Sequence, residues 1–212
     1  MGISASYAIW SSRSIYITGI IHPDILEKLR NTVKLLVIYS SIEGQTLKIA
    51  KHLVSQLGVE QQADFIALDD LAAQHNIHDY DSVLIGASVR YGKFRPNLYK
   101  FLAKHQQVLE SMPVAFFGVC LTARKPEKST PTTSVYMKKL NLNAVWMPEL
   151  QAVFAGALLY SKYNFWQTKI IQLIMRITGG STDTSKDIEL TDWSKVDKFA
   201  IEYTELLQKH SN

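Results

Sequence analysis

Short apolar runs alternate with amphipathic stretches along most of this chain. Five runs have the length and the β-branched and aromatic content typical of strands; they are Leu35–Tyr39, Ala63–Leu68, Ser82–Ser88, Pro113–Leu121 and Gln151–Leu158. Other stretches repeat apolar residues at three and four positions, which predicts helices. The clearest helices are predicted to begin after Gly44, at Pro96, at Tyr136, at Phe165 and at Trp193. Strands that alternate with helices predict an α/β fold with helices on both faces of a parallel sheet.

The loop between the first strand and the first helix is rich in hydroxyl side chains. It reads Ser40-Ser41-Ile42-Glu43-Gly44-Gln45-Thr46. A loop that leads into a helix presents backbone N–H groups and a partial positive charge, which suits a phosphate. A Walker P-loop would need a Lys after Gly44, and a dinucleotide-binding loop would need three glycines. The pattern therefore predicts a phosphate site of another kind, the simpler alternative being an ordinary helix start.

This loop resembles the phosphate-binding loop of flavodoxin-like proteins, which holds the monophosphate of FMN. The resemblance implies a doubly wound five-stranded parallel sheet in the order 2-1-3-4-5, with the ligand at the carboxyl ends of the strands. A response-regulator receiver shares this topology but needs acidic residues where this chain has Ser40, Ser41 and Ala87. Three loops are expected to meet at the FMN site. Their predicted cofactor-binding residues are Ser40, Ser41, Ile42, Glu43, Gly44, Gln45, Thr46, Ala87, Ser88, Val89, Arg90, Tyr91, Gly92, Val119, Cys120, Leu121 and Thr122.

Charge is distributed unevenly along the sequence. The 212 residues have a formal net charge of +4, yet the segment from Leu121 to Gly180 alone carries +6. A basic segment beside a mildly acidic remainder predicts an anionic partner: a polycarboxylate substrate, an anionic membrane or nucleic acid. The single cysteine, Cys120, excludes an intrachain disulfide, and the scattered histidines give no reason to expect a metal. No apolar run is long enough to cross a membrane.

Two segments, 121–139 and 157–184, exceed a minimal flavodoxin. Together with the loop after the third strand, they resemble the menaquinone-dependent protoporphyrinogen oxidase family of proteobacterial haem synthesis. The matching runs are Ala87–Gly92 (ASVRYG), Ala123–Lys128 (ARKPEK), Ile170–Thr184 with its Gly-Gly and Thr-Asp-Thr, and Thr191–Trp193 (TDW). The resemblance extends from Val33 to about Lys209, and Ile42 departs from it where Arg occurs in the family.

The family resemblance implies FMN-dependent oxidation of protoporphyrinogen IX with a membrane quinone as electron acceptor. The flavin would carry the hydride transfer, so no catalytic side chain is assigned. Tyr91 is expected to stack on the flavin. Basic residues on the neighbouring loops are expected to bind the substrate propionates; they are Arg90, Arg95, Arg124, Lys125 and Lys128. The alternatives are a flavodoxin-like NAD(P)H:quinone reductase and an electron shuttle, although shuttles are usually acidic.

The predicted helix from Phe165 to Thr178 has an unusually wide apolar surface. Lys169 and Arg176 lie roughly opposite its main stripe, which consists of Trp166, Ile170, Leu173, Ile174 and Ile177, and the stripe is widened by Phe165, Ile171 and Met175. This pattern predicts a helix that lies on an anionic membrane, and the alternative is a core helix that covers the sheet. We therefore expect a peripheral protein on the cytoplasmic face of the bacterial inner membrane. We expect no nucleic-acid partner, and homo-oligomerisation stays open.

Residues 1–32 lie outside the resemblance and are interpreted as an N-terminal extension to a flavodoxin-like domain at 33–209. Flavodoxin-like proteins commonly begin at the first strand, and a GTG start codon would read as Val if translation were assigned too far upstream. We therefore hypothesise that Val33 is the initiator position. An intact mass of the native protein that includes the first 32 residues would refute this hypothesis.

Overall fold

A five-stranded parallel sheet lies at the centre of the protein. The computed structural model describes residues 33–71, 76–177 and 183–210, together with 16–17, 20–21, 23–25 and 27. The strands are β1 (Leu35–Ser40), β2 (Ala63–Ala67), β3 (Ser82–Ser88), β4 (Val114–Val119) and β5 (Leu150–Phe154). Their spatial order is β2-β1-β3-β4-β5, and every neighbouring pair is parallel. The predicted fold class and strand order are therefore confirmed.

Helices cover both faces of this sheet. They are α1 (Gln45–Leu57), α2 (Pro96–Lys104), α3 (Gln106–Glu110), α4 (Val135–Asn143), α5 (Phe165–Ile177) and α6 (Trp193–His210). Side chains alternate between the two faces of a strand. Leu35 and Val37 of β1 accordingly pack with α1 and α6, whereas Leu36 and Ile38 pack with α2, α3 and α4.

The predicted extent of the fifth strand, Gln151–Leu158, is wrong. β5 is an edge strand that ends at Phe154, and the chain then leaves the parallel sheet. Residues Ala157–Leu158 form a separate strand, β6, which pairs antiparallel with β7 (Ile188–Glu189). The Leu190 N–H extends this pairing by donating to the Gly156 carbonyl at 3.0 Å. We call residues 157–189, which begin with β6 and end with β7, the insertion.

The insertion has a small apolar core of its own. Leu158, Tyr160 and Met175 are buried there, and Ile171 and Tyr163 pack against them. Met175 and Ile171, two of the residues that widen the apolar surface of α5, thus pack inward, whereas Trp166 and Leu173 on the same helix are exposed. Its predicted last residue, Thr178, lies outside the described residues. Among the described helices, none combines the length and the apolar character that crossing a membrane requires.

The predicted N-terminal extension, residues 1–32, lies mostly outside the described residues. Within it, Tyr16–Ile17 pairs antiparallel with Ile20–Ile21. Ile25 is half-buried and packs on the same apolar cluster as α1 and α6. The boundary at Val33 stays a prediction.

Candidate functional site

The first wall of the site is the loop that joins β1 to α1. Gly44 has a φ of 99°, in the left-handed region, and a Cβ at this position would meet no atom within 4 Å. Its N–H donates to the Ser41 hydroxyl oxygen at 3.1 Å. The first turn of α1 carries no acidic side chain. The helix therefore has no carboxylate of its own there to neutralise the partial positive charge of its N-terminus. These features suit the binding of an anion such as a phosphate.

The Ser40 hydroxyl lies directly before this loop and lacks a partner. Ser40 is 4% exposed, and its Oγ makes no hydrogen bond to any described residue. A buried polar group without a partner costs about 1–3 kcal/mol. An oxygen-rich ligand bound at this loop would offer such a partner, so the residues present fit a phosphate monoester.

The second wall is a tight turn after β3. Arg90 and Lys93 exchange backbone hydrogen bonds of 2.9 and 3.1 Å, with Tyr91 and Gly92 between them. Both central residues have positive φ, 48° at Tyr91 and 79° at Gly92, which is the geometry of a two-residue turn that matches strand twist. A bulky residue with positive φ is uncommon. The turn holds the Tyr91 ring at its tip, 80% exposed and beside the cavity.

The third wall follows the carboxyl end of β4. Cys120 continues the sheet by donating its N–H to the Phe154 carbonyl at 3.0 Å, and its Sγ lies 3.4 Å from Thr122 Oγ1. Burial raises the pKa of the Cys120 thiol, although hydrogen bonds from Thr122 and neighbouring groups oppose it. A thiol with a raised pKa stays protonated and is a poor nucleophile. Cys120 therefore has the character of a packing residue.

The three loops meet around a cavity of about 170 Å³. Most of the predicted cofactor-binding residues line it, namely Ser41, Ile42, Glu43, Gln45, Thr46, Ser88, Val89, Arg90, Tyr91, Gly92, Val119, Cys120, Leu121 and Thr122. Ser40, Gly44 and Ala87 adjoin the cavity in sequence without lining it. The lining also includes residues that sequence reasoning missed, which are Tyr136, Gly156, Ala157, Tyr163, Ile170 and Ile171. No local motif marks these residues, because α4 and the insertion reach the cavity only in the folded chain.

An ion pair joins two of the walls. Arg90 Nη1 lies 2.5 Å from Glu43 Oε1, and both side chains are largely buried. The Lys162 ammonium of the insertion donates to the Glu43 carbonyl at 2.9 Å. Burial raises the pKa of Tyr163, and the Glu43 charge raises it further. Glu43 is therefore the point where the first loop, the turn after β3 and the insertion meet.

The predicted substrate-binding residues are not all gathered at the cavity. Arg90 lines it, whereas the other four lie outside its lining, namely Arg95, Arg124, Lys125 and Lys128. Arg95 Nη1 is 2.6 Å from Asp69 Oδ2, and the pKa of Asp69 is lowered first by a hydrogen bond from Asn97 and also by Arg95. Arg124 Nη1 donates to the Leu121 carbonyl at 3.0 Å. Propionate binding by these residues stays a prediction.

Comparison with known proteins gives two levels of relationship. The model of the flavodoxin domain family matches residues 36–185, so the class is that of the flavodoxin-like proteins. The protoporphyrinogen IX dehydrogenase [quinone] of Escherichia coli K12 is 42% identical over 185 residues, which cover 84% of this chain and 98% of that protein. The Leishmania major protein of the same name is 42% identical over 175 residues, or 82% of this chain and 75% of that protein.

The solved structures that resemble this one include oxidised flavodoxin 1 from Bacillus cereus, which is 15% identical in sequence and matches with a TM-score of 0.44. The match covers 81% of this chain and 97% of that one. The sequence identity to the dehydrogenases is the stronger result. The chain belongs to the quinone-dependent protoporphyrinogen IX dehydrogenase family of flavodoxin-like oxidoreductases.

Proposed function

We propose that this protein binds FMN and oxidises protoporphyrinogen IX to protoporphyrin IX, with a membrane quinone as the electron acceptor. The names of its relatives support this substrate and this type of acceptor. The observation that carries the proposal is the cavity together with the loop beside it. An exposed aromatic ring lines the cavity, and the adjoining loop leads into the open N-terminus of α1 and begins at the buried Ser40 hydroxyl, which has no partner among the described residues.

The residues at the cavity fit FMN in a specific way. The backbone N–H groups of residues 45 and 46 and the Ser41 hydroxyl would hold the phosphate. Tyr91, Leu121 and Tyr163 offer flat or apolar surfaces for the ring system. When bound, the flavin supplies the hydride acceptor that this oxidation requires. The protein's own part would be to hold the ring, to exclude water from it and to orient the substrate. Glu43 and Arg90 would support this by joining two walls of the cavity.

The exposed side of α5 supports a membrane surface as a further partner. Trp166 is 74% exposed and Leu173 58%, and the basic residues Lys169 and Arg176 on the same helix are exposed as well. Apolar and basic side chains together suit the boundary of an anionic bilayer. Ile170 and Ile171 of this helix also line the cavity. A helix that contacts both the cavity and the bilayer would bring the cavity close to the lipid in which a quinone dissolves. We therefore propose a peripheral position on the cytoplasmic face of the inner membrane.

Anaerobic mixing of FMN-loaded protein with protoporphyrinogen IX tests the proposed function. We expect the flavin absorbance to bleach, and porphyrin fluorescence to grow in proportion to menaquinone added afterwards. Bleaching by NAD(P)H with no response to protoporphyrinogen would instead assign an NAD(P)H:quinone reductase. A protein that does not bind FMN at all would refute the proposed cofactor.

A further inference from the structure

Glu189, at the end of the insertion, reaches across to the first turn of α1. Its Oε1 accepts a hydrogen bond of 2.9 Å from Gln45 Nε2, and its Oε2 lies 2.7 Å from Lys48 Nζ. Gln45 Nε2 is also 2.9 Å from Thr191 Oγ1, and that hydroxyl donates to the Ala155 carbonyl at 2.9 Å. The start of α1 is therefore bound to the segment that leaves the insertion.

Lys162, near the beginning of the insertion, binds the other side of the same loop. Its ammonium donates to the Glu43 carbonyl at 2.9 Å. Glu43 precedes Gly44 and Gln45 follows it, so the two contacts bracket the residue whose φ of 99° shapes the loop. Gly44 has no side chain that could cap α1, and the first turn has no acidic residue. The insertion thus adds two side-chain contacts to the one that the loop makes for itself, in which the Gly44 N–H donates to the Ser41 hydroxyl.

We propose that Glu189 and Lys162 are positioning residues of the phosphate site. They hold the backbone N–H groups of the loop in the arrangement that a phosphate monoester requires, although neither side chain lines the cavity. This inference rests on the proposed use of FMN. The insertion would then be part of the flavin site as well as a surface for other partners.

A purely electrostatic role for Glu189 would have the opposite sign. A carboxylate near a phosphate repels it, so removal of the charge alone would tighten FMN binding. Lys48 offsets this repulsion by pairing with Glu189 at 2.7 Å. A positioning role predicts weaker binding when Glu189 is removed, which makes the direction of the change diagnostic.

The test compares FMN with riboflavin, which lacks the phosphate. Flavin-free Glu189→Ala and Lys162→Met proteins are titrated with each flavin, and binding is followed by quenching of flavin fluorescence. We expect the FMN Kd to rise about five- to tenfold, the scale of one charge-assisted hydrogen bond, while the riboflavin Kd is unchanged. Glu189→Gln, which keeps an acceptor for Gln45 but loses the ion pair, is expected to be intermediate.

Glu202→Ala is the matched control. Glu202 Oε1 pairs with Lys198 Nζ at 3.8 Å on α6, and its removal should leave both flavin affinities unchanged. If Glu189→Ala does not fold, Glu189→Gln carries the test, because loss of the carboxylate charge alone would tighten FMN binding, whereas a positioning role predicts weaker binding. Unchanged or tighter FMN binding, or an equal loss of riboflavin, would overturn the inference while the proposed function stands. A wild-type protein that binds no FMN would overturn both.

Discussion

Gly44 and Gly58 flank α1 at its two ends, and both have positive φ angles, 99° and 69°. An alanine in a left-handed conformation costs about 1–2 kcal/mol. Gly44 belongs to the loop at the cavity, whereas Gly58 caps the C-terminal end of the helix. The two positions therefore separate an effect on the ligand from an effect on stability.

Gly44→Ala is expected to weaken FMN binding about tenfold, because the strained residue redirects the N–H groups that would meet the phosphate. Gly58→Ala is expected to lower the free energy of unfolding by about 1–2 kcal/mol, the cost of the left-handed conformation for alanine, without a change in FMN affinity. Flavin fluorescence quenching measures the first quantity and urea unfolding the second. Equal loss of FMN affinity in both variants would contradict the local role of Gly44.

Glu189 gives the protein a specific sensitivity to acid. Burial raises the pKa of its carboxyl, but hydrogen bonds from Lys48 and Gln45 and the charge of Lys48 outweigh this, and the pKa lies below the ordinary value of 4.5. A group whose pKa is lowered by folding contributes stability that is fully present above its ordinary pKa. That stability is lost as the pH falls through the folded-state pKa.

Glu189→Gln should therefore lower the Tm at neutral pH, and the difference from wild type should shrink as the pH falls below 4.5. Thermal unfolding followed by circular dichroism at several pH values provides the measurement. A difference in Tm that persists unchanged in acid would show that the ionised carboxylate of Glu189 is not what stabilises this contact.

At the scale of elements, the three walls of the cavity are joined by side chains distant in sequence. The Glu43–Arg90 pair connects the loop after β1 to the turn after β3. Removing one member leaves the other charge largely buried and without its partner, which costs more than removing both. The pair therefore offers a direct measure of how strongly the two walls are coupled.

A double-mutant cycle with Glu43→Gln and Arg90→Gln is expected to give a coupling energy of about 1 kcal/mol in urea unfolding. The stability lost in either single variant should exceed half of the stability lost in the double variant. The Lys198→Ala and Glu202→Gln cycle on α6 is the control, because that exposed pair should couple by no more than a few tenths of a kcal/mol. Additive effects at Glu43 and Arg90 would rule out coupling of the two walls through this pair.

The sequence predicted the elements whose signal is local. β1, β3 and β4 are continuous apolar runs, and the loop before α1 has a recognisable spacing. The resemblance of that loop to the flavodoxin-like proteins then implied the sheet order and most of the cavity lining. β6 and β7 are two residues each, too short for any periodic signal. Glu189 and Tyr163 reach the first loop only through the folded insertion, so no spacing in the sequence could assign them. Periodicity alone could not say which side of α5 is covered, because both sides are apolar, and the structure places Met175 on the covered side.

At the scale of the whole molecule, exposed apolar surface is concentrated on the elements that border the cavity. The large apolar side chains that are exposed in the described ranges lie in the loop before α1, in the turn after β3, on or just after α4, and on α5. They are Ile42, Tyr91, Val135, Leu142, Val145, Phe165, Trp166, Ile170 and Leu173. The segment from Leu121 to Gly180, which contains α4 and α5, also carries the excess of positive charge. Apolar and basic surface therefore occur together around the candidate site.

Flotation with liposomes that contain anionic lipid tests whether α5 binds the bilayer. The variant Trp166→Glu with Leu173→Glu adds two carboxylates to the exposed side of α5 at positions that do not line the cavity. We expect its partition into liposomes to fall at least about tenfold, because apolar burial is lost and repulsion is added. Turnover with a water-soluble quinone should be unchanged, whereas turnover with a long-chain quinone in liposomes should fall with the loss of binding.

The matched control is Leu142→Glu with Val145→Glu, which adds the same charge at exposed apolar positions on and after α4. If α5 provides the main contact, this control keeps most of its binding, and added salt weakens the binding of the wild type by screening its basic residues. Equal losses in the two double variants would mean that the membrane is attracted by net charge alone. Full binding by a folded Trp166→Glu, Leu173→Glu protein would exclude α5 as the membrane contact, and its exposed side would then require another partner.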